Sequence, residues 1–195
     1  MKAMHALPEG YEQIFSVDLQ KNKKTALLVN LWSIAIALAM VIPMHFNLSI
    51  LTLFDMSRGI GAYLLRFAIF LVFLIAYLII HELVHGAAMK FFGTEKVKYG
   101  FTGLYAFAGS EDYYDKKSYI IIALAPVAVL GVIIAIINIL VPAAWFWVIY
   151  IIQVCNVSGA AGDLYVTLKF LDMPKDILVR DSGVSMAVYS QKTDT

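Results

Sequence analysis

The stretch AYLLRFAIFLVFLIAYLIIHELVHGAAMKFFG, Ala62 to Gly93, decides the architecture. From Ala62 to Ile80 it carries one charge, Arg66. That is enough apolar length to cross a hydrocarbon core, because about 20 helical residues span about 30 Å. His81, Glu82 and His85 follow at once. An ionisable side chain at the centre of a membrane helix costs on the order of 2.5–3.5 kcal/mol. Three within five residues call for a partner that offsets the cost.

The rest of the chain fits the same solvent. Of 195 residues, 61% are hydrophobic and 15% charged, against roughly 45–50% apolar in soluble domains. This composition predicts an all-α integral membrane protein with four transmembrane helices. They fall at about 26–44, 61–93, 119–140 and 143–165, within a domain of 25–171, with an N-terminal segment 1–24 and a tail 172–195. Val141-Pro142 breaks the last two apart as a helical hairpin. A formal net charge of +1 gives no reason to expect a nucleic-acid partner. Cys155, alone, excludes a disulfide framework. Oligomeric state is not legible.

Basic residues orient the spans. Lys21, Lys23 and Lys24 precede the first, and Lys90, Lys96, Lys98, Lys116 and Lys117 lie between the second and third. Lys169, Lys175, Arg180 and Lys192 follow the fourth, whereas the segment from His45 to Ile60 has only Arg58. The positive-inside rule then places both termini and the long loop in the cytoplasm. In that loop KVKYGF (Lys96–Phe101) alternates with a period of two, and Gly100 and Gly103 supply turn chemistry, which predicts a small β hairpin or edge strand. The tail stretch Asp176–Tyr189 reads similarly, turning at Asp181-Ser182-Gly183. Arg66 is expected to snorkel to the headgroups, Trp145 and Trp147 to form an aromatic belt, and Pro126 to kink the third span or relieve packing there.

HELVH is H-E-x-x-H. On a helix, residues i and i+4 share a face, so His81 and His85 can hold one zinc ion while Glu82 stands ready to take a proton from water activated there. A solvated rim position is the bland alternative, but Gly86, Ala87 and Ala88 let another helix approach closely. A catalytic zinc takes three protein ligands and keeps one position open. Asp163 lies as deep in the fourth span as His81 does in the second, both spans starting outside, which makes it the leading third ligand. His5, Glu111, Asp112 and Asp115 remain rivals, and His45 belongs to the opposite membrane face. Asn156, seven residues before Asp163, shares its face, either to meet a substrate carbonyl or backbone or to bind a neighbouring helix.

This pattern resembles the site-2-protease class of intramembrane zinc metalloproteases, and more closely the small bacterial membrane proteins of the zincin-peptidase type. The likeness rests on HELVH in an inward-running helix and on an aspartate in a later span preceded by an asparagine. The class pattern is approximately N-x-x-P and then L-D-G. This chain has Asn156-Val157-Ser158-Gly159 and then Gly162-Asp163-Leu164, so Gly159 replaces the proline and Leu164 the last glycine. ALAPVAVLG (Ala123–Gly131) is similar to the start of the middle core helix of that class. The likeness covers about Gly61 to Leu171.

It implies that His81, His85 and Asp163 hold zinc, that Glu82 is general base and acid, and that a membrane-anchored protein or peptide in the lipid bilayer is the substrate. A helical substrate hides its peptide bonds in its own hydrogen bonds and must unwind. The strand of about 96–107, with Tyr99 and Phe101, is the expected site of strand addition. The alternative is a non-proteolytic zinc-binding membrane protein: a pseudoprotease, sensor or transporter-like molecule. Polar groups at one depth disfavour transport, and the intact Glu82 favours chemistry. A metal-free scaffold is a third reading.

Overall fold

The computed structural model describes residues 2–18, 20–103 and 105–192. Among them, four helical stretches are long and apolar enough to cross a membrane: α1 (Lys23–Asn47), α2 (Ile60–Phe91), α3 (Lys116–Leu140) and the run Ala143–Leu171. In the most apolar window of α1 and of α2 only 6% is buried within the molecule, so Leu, Ile and Phe side chains face outward. Exposing such side chains to water forfeits about 1.5–3 kcal/mol each, whereas lipid accepts them.

The fourth stretch is not one helix. It divides into α4 (Ala143–Gly159) and α5 (Ala161–Leu171), with the break at Ala160. Gly159, Ala160, Ala161 and Gly162 form a run of small residues in which glycine weakens helical continuity. The expected shared face of Asn156 and Asp163, which assumed an unbroken helix, therefore does not apply.

The all-α expectation also needs correction, because the described residues form two small sheets. The predicted hairpin is present as β2 (Lys98–Phe101) and β3 (Ala106–Gly109), antiparallel with Tyr99 opposite Ala108. A second, four-stranded antiparallel sheet has the order β1-β6-β5-β4. Its strands are β1 (Tyr11–Val17), β4 (Tyr113–Asp115), β5 (Leu178–Asp181) and β6 (Met186–Gln191). The last two form the tail hairpin expected from the sequence. β1 escaped notice because its pairing with β6 shifts register between Gln13 and Phe15. Such an irregularity spoils the strict alternation that marks a strand.

The chain forms two compact units. One contains Met1–Val29, Glu82–Ala125 and Gly162–Thr195, the other Asn30–His81 and Pro126–Ala161. In the first, Met89 of α2, Tyr119 and Ile122 of α3, and Val166 and Phe170 of α5 bury against Val179 and Val188 of the sheet. The C-terminal end of α2 closes by glycine chemistry. Gly93 has φ +100°, its N–H donates to the Lys90 carbonyl at 2.9 Å, and the Thr94 N–H donates to the Met89 carbonyl at 3.1 Å. That pair of bonds is a Schellman cap. Asp115 caps the start of α3, accepting from the Lys117 and Ser118 amides at 3.1 and 3.2 Å.

The β2–β3 hairpin is pinned to the tail hairpin. The Phe107 ring fills the space where Cβ atoms would stand at Gly100 and Gly183, and Gly109 lies directly against the Ser182–Gly183 backbone. The Ser110 N–H donates to the Asp181 carbonyl at 2.7 Å. Glu111 joins Lys98 of β2 and Arg180 of β5. Those hydrogen bonds, Lys98's first, hold its carboxyl below the usual glutamate range.

In the second unit two expectations change. Arg66 does not reach for headgroups: its guanidinium donates to the carbonyls of Leu53, Asp55 and Ala144 at 2.9, 2.8 and 3.2 Å. Three carbonyls near helix ends hold it more firmly than a mobile lipid phosphate would. Trp147 is not in an aromatic belt either. It is buried, with Nε1 donating to the Leu48 carbonyl at 3.0 Å.

Two outcomes follow from the pinned hairpins. Gly183 sits at φ +86° against Phe107, so Gly183→Ala should lower stability by roughly 1–3 kcal/mol, read as a lower thermal midpoint in detergent. An unchanged midpoint would refute the packing account. Because the Glu111 pKa is depressed, its bridge is complete above the unfolded-state value and is lost as pH falls through the folded one. Glu111→Gln should therefore flatten the acid limb of the stability profile.

Candidate metal centre

The site is built from α2 upward. His81 and His85 are one turn apart on a continuous helix, and Asp163 stands in the first turn of α5. The three offer one ligand atom each within 4.8 Å of one another, the only such cluster among the described residues. His85 Nε2 lies 3.9 Å from Asp163 Oδ2. Zinc–ligand bonds of about 2.0–2.1 Å in a tetrahedron separate ligand atoms by roughly 3.3 Å, so side-chain shifts of about an ångström close the set. Two imidazoles and a carboxylate suit zinc and leave a fourth position free.

Each histidine is oriented through its other nitrogen. His81 Nδ1 pairs with the Tyr77 hydroxyl at 3.2 Å, and both side chains are buried. His85 Nδ1 pairs with the Ile122 carbonyl of α3 at 2.9 Å. A carbonyl only accepts, so His85 donates from Nδ1, and Nε2 keeps its lone pair on the side facing Asp163. Such partners fix the ring and raise the basicity of the ligating nitrogen.

Glu82, peptide-bonded to His81, is half-buried. Its carboxylate lies near the backbone of Ala108 of β3 and near His85, Asp163 and Asp181. Asp181 is a residue the sequence reading passed over. Its Oδ2 accepts from the Tyr119 hydroxyl at 2.5 Å and its Oδ1 from the Gly183 N–H at 2.8 Å. Burial pushes its carboxyl above the ordinary range, against the pull of those bonds. Tyr77, Ile122 and Asp181 were missed for different reasons. Tyr77 precedes His81 by one helical turn and was detectable by spacing, whereas a backbone carbonyl and a tail carboxylate carry no motif.

The rival ligands are engaged elsewhere. His5 Nδ1 pairs with Asp112 at 2.8 Å, Glu111 bridges Lys98 and Arg180, and Asp115 caps α3. His45 accepts from the Ile50 N–H at 3.2 Å. Asn156 is fully buried, and its Nδ2 donates to the Val127 carbonyl of α3 at 3.4 Å, which is the helix-binding role. Tyr99 lies against α2: a Cβ at Gly86, the residue after His85, would run into its ring. Phe101 is not drawn inward and is 71% exposed.

A helix carrying two oriented imidazoles and a carboxylate, faced by an aspartate, defines a metallopeptidase-type centre. The chain belongs to the family described as "Putative zincin peptidase", which it matches over residues 74–178, more than half its length and all of the centre. Zinc is the metal that such a family implies. No curated protein and no solved structure matches the chain.

If Tyr77 orients His81, Tyr77→Phe should weaken zinc binding by roughly 10-fold or more while leaving the far-UV circular dichroism unchanged. Competition against a fluorescent chelator measures this, and wild-type affinity in the variant would show the hydroxyl to be idle.

Proposed function

We propose that the chain hydrolyses peptide bonds of membrane-anchored proteins or peptides near the cytoplasmic face of a bacterial membrane, as a site-2-protease-like enzyme. The observation that carries this is the convergence of His81, His85 and Asp163 beside Glu82. When bound there, zinc supplies Lewis acidity that brings a water's pKa from 15.7 to about 7. Glu82 accepts the proton that water releases as its oxygen adds to the scissile carbonyl carbon. The same carboxyl returns that proton to the amide nitrogen as the C–N bond breaks, leaving an acid and an amine.

The substrate is held as an added strand on the β2–β3 hairpin. Support comes from β3, whose Ala108 amide lies at Glu82, and from Tyr99 of β2, packed on the motif helix. The exposed Phe101 offers an apolar contact for the unwound segment.

The test combines metal content and cleavage on the detergent-purified chain. Wild type should hold about one zinc, and His85→Ala and Asp163→Ala should lose it. Glu82→Gln should keep zinc and lose cleavage of a transmembrane peptide by roughly 100- to 10,000-fold. Full activity in Glu82→Gln would favour a zinc protein that does not cut by this chemistry. Tyr99→Pro should cut cleavage with zinc retained, and unchanged cleavage there would remove the strand-addition step.

A further inference from the structure

Helix α3 runs unbroken from Lys116 to Leu140 with a proline inside it, Pro126. In an α-helix residue 126 would donate its N–H to the carbonyl of residue 122. Proline has no N–H to give. The Ile122 carbonyl therefore lacks its helical donor. Ile122 is 1% exposed and Pro126 is fully buried, and a buried carbonyl left unpaired is costly. The donor that fills the gap is His85 Nδ1, at 2.9 Å.

We infer that Pro126 is a positioning residue for the metal centre: by withholding an N–H from Ile122, it reserves that carbonyl for His85 and so fixes which imidazole nitrogen faces Asp163. The inference rests on the metallopeptidase reading but concerns a different residue. Neutral histidine exchanges its proton between two nitrogens, and the partner of one decides the state of the other. A carbonyl already saturated along its own helix axis is a poorer partner. Here the covalent structure of α3 keeps it open. His85 is thereby held as the Nδ1–H tautomer before any ligand arrives, with Nε2 unprotonated and 3.9 Å from Asp163 Oδ2. The competing account is that the Pro126 ring acts only by filling space or bending α3.

Two replacements separate the accounts in the full-length chain. Pro126→Ala removes the ring and restores the N–H. Replacing Pro126 by lactic acid, the α-hydroxy analogue of alanine, gives a backbone ester that removes the ring but restores no N–H. Alanine is the best helix former, so both should fold, which far-UV circular dichroism checks.

The first readout is the ¹⁵N spectrum of the His85 ring in metal-free protein, assigned with His85→Ala. The second is zinc affinity. Wild type and the ester should share the Nδ1–H tautomer and the same affinity. Pro126→Ala should shift the ring towards the other tautomer and weaken zinc by about 10- to 100-fold. A wild-type spectrum and affinity in Pro126→Ala would overturn the inference. So would equal damage in the ester and in alanine, which would assign the effect to the ring. Wild type that binds no zinc yet shows the stated tautomer shifts would sink the metallopeptidase reading and leave the proline–histidine link standing.

Discussion

A histidine can ligate a metal through one nitrogen only if the other is satisfied, and in a membrane no water is at hand to satisfy it. That constraint organises this molecule. His85 gives its Nδ1–H to a backbone carbonyl of α3, and His81 pairs its Nδ1 with the hydroxyl of Tyr77. Neither partner is charged, so the charge balance at the centre falls on Asp163, with Glu82 beside it. The cost of placing ionisable groups in α2 is met by matching each to a fixed neighbour.

The hairpins serve the same end. Tyr119 begins the helical turn that presents the Ile122 carbonyl, and its hydroxyl is tied to Asp181 at the turn of the tail hairpin. The backbone carbonyl of Asp181 holds Ser110, and the glycines around Phe107 bring β3 against that turn. Ala108, in the middle of β3, then meets Glu82. A displacement of the tail would be felt both at Glu82 and at the helix that orients His85.

Much of this was legible in the sequence. The helix lengths followed from apolar runs, the tail hairpin from Asp181-Ser182-Gly183, and the His81–His85 pair from its spacing. Asp163 came from comparing depths in two spans, an argument that survives the break at Ala160 because rise along the chain changes little there. The face shared with Asn156 did not survive, because angular phase is lost at a helix break. Arg66 and Trp147 were misjudged because a side chain's hydropathy sets its preferred depth but does not reveal a nearby backbone carbonyl. β1 was hidden by its own register shift.

Tyr11 lies opposite Gln191 in the four-stranded sheet. Between these partners in sequence lie all four membrane-crossing stretches, so this pairing closes a loop of nearly the whole chain. Loop closure on that scale is entropically late. During synthesis β1 emerges first but must wait for β6, and until β5 and β6 arrive neither Tyr119 nor Phe107 has its partner. The apolar helices can form while the support for Glu82 and His85 is still missing. The order of the strands thus acts as a clock: the surroundings of Glu82 and His85 are complete only after the last strand has been laid down.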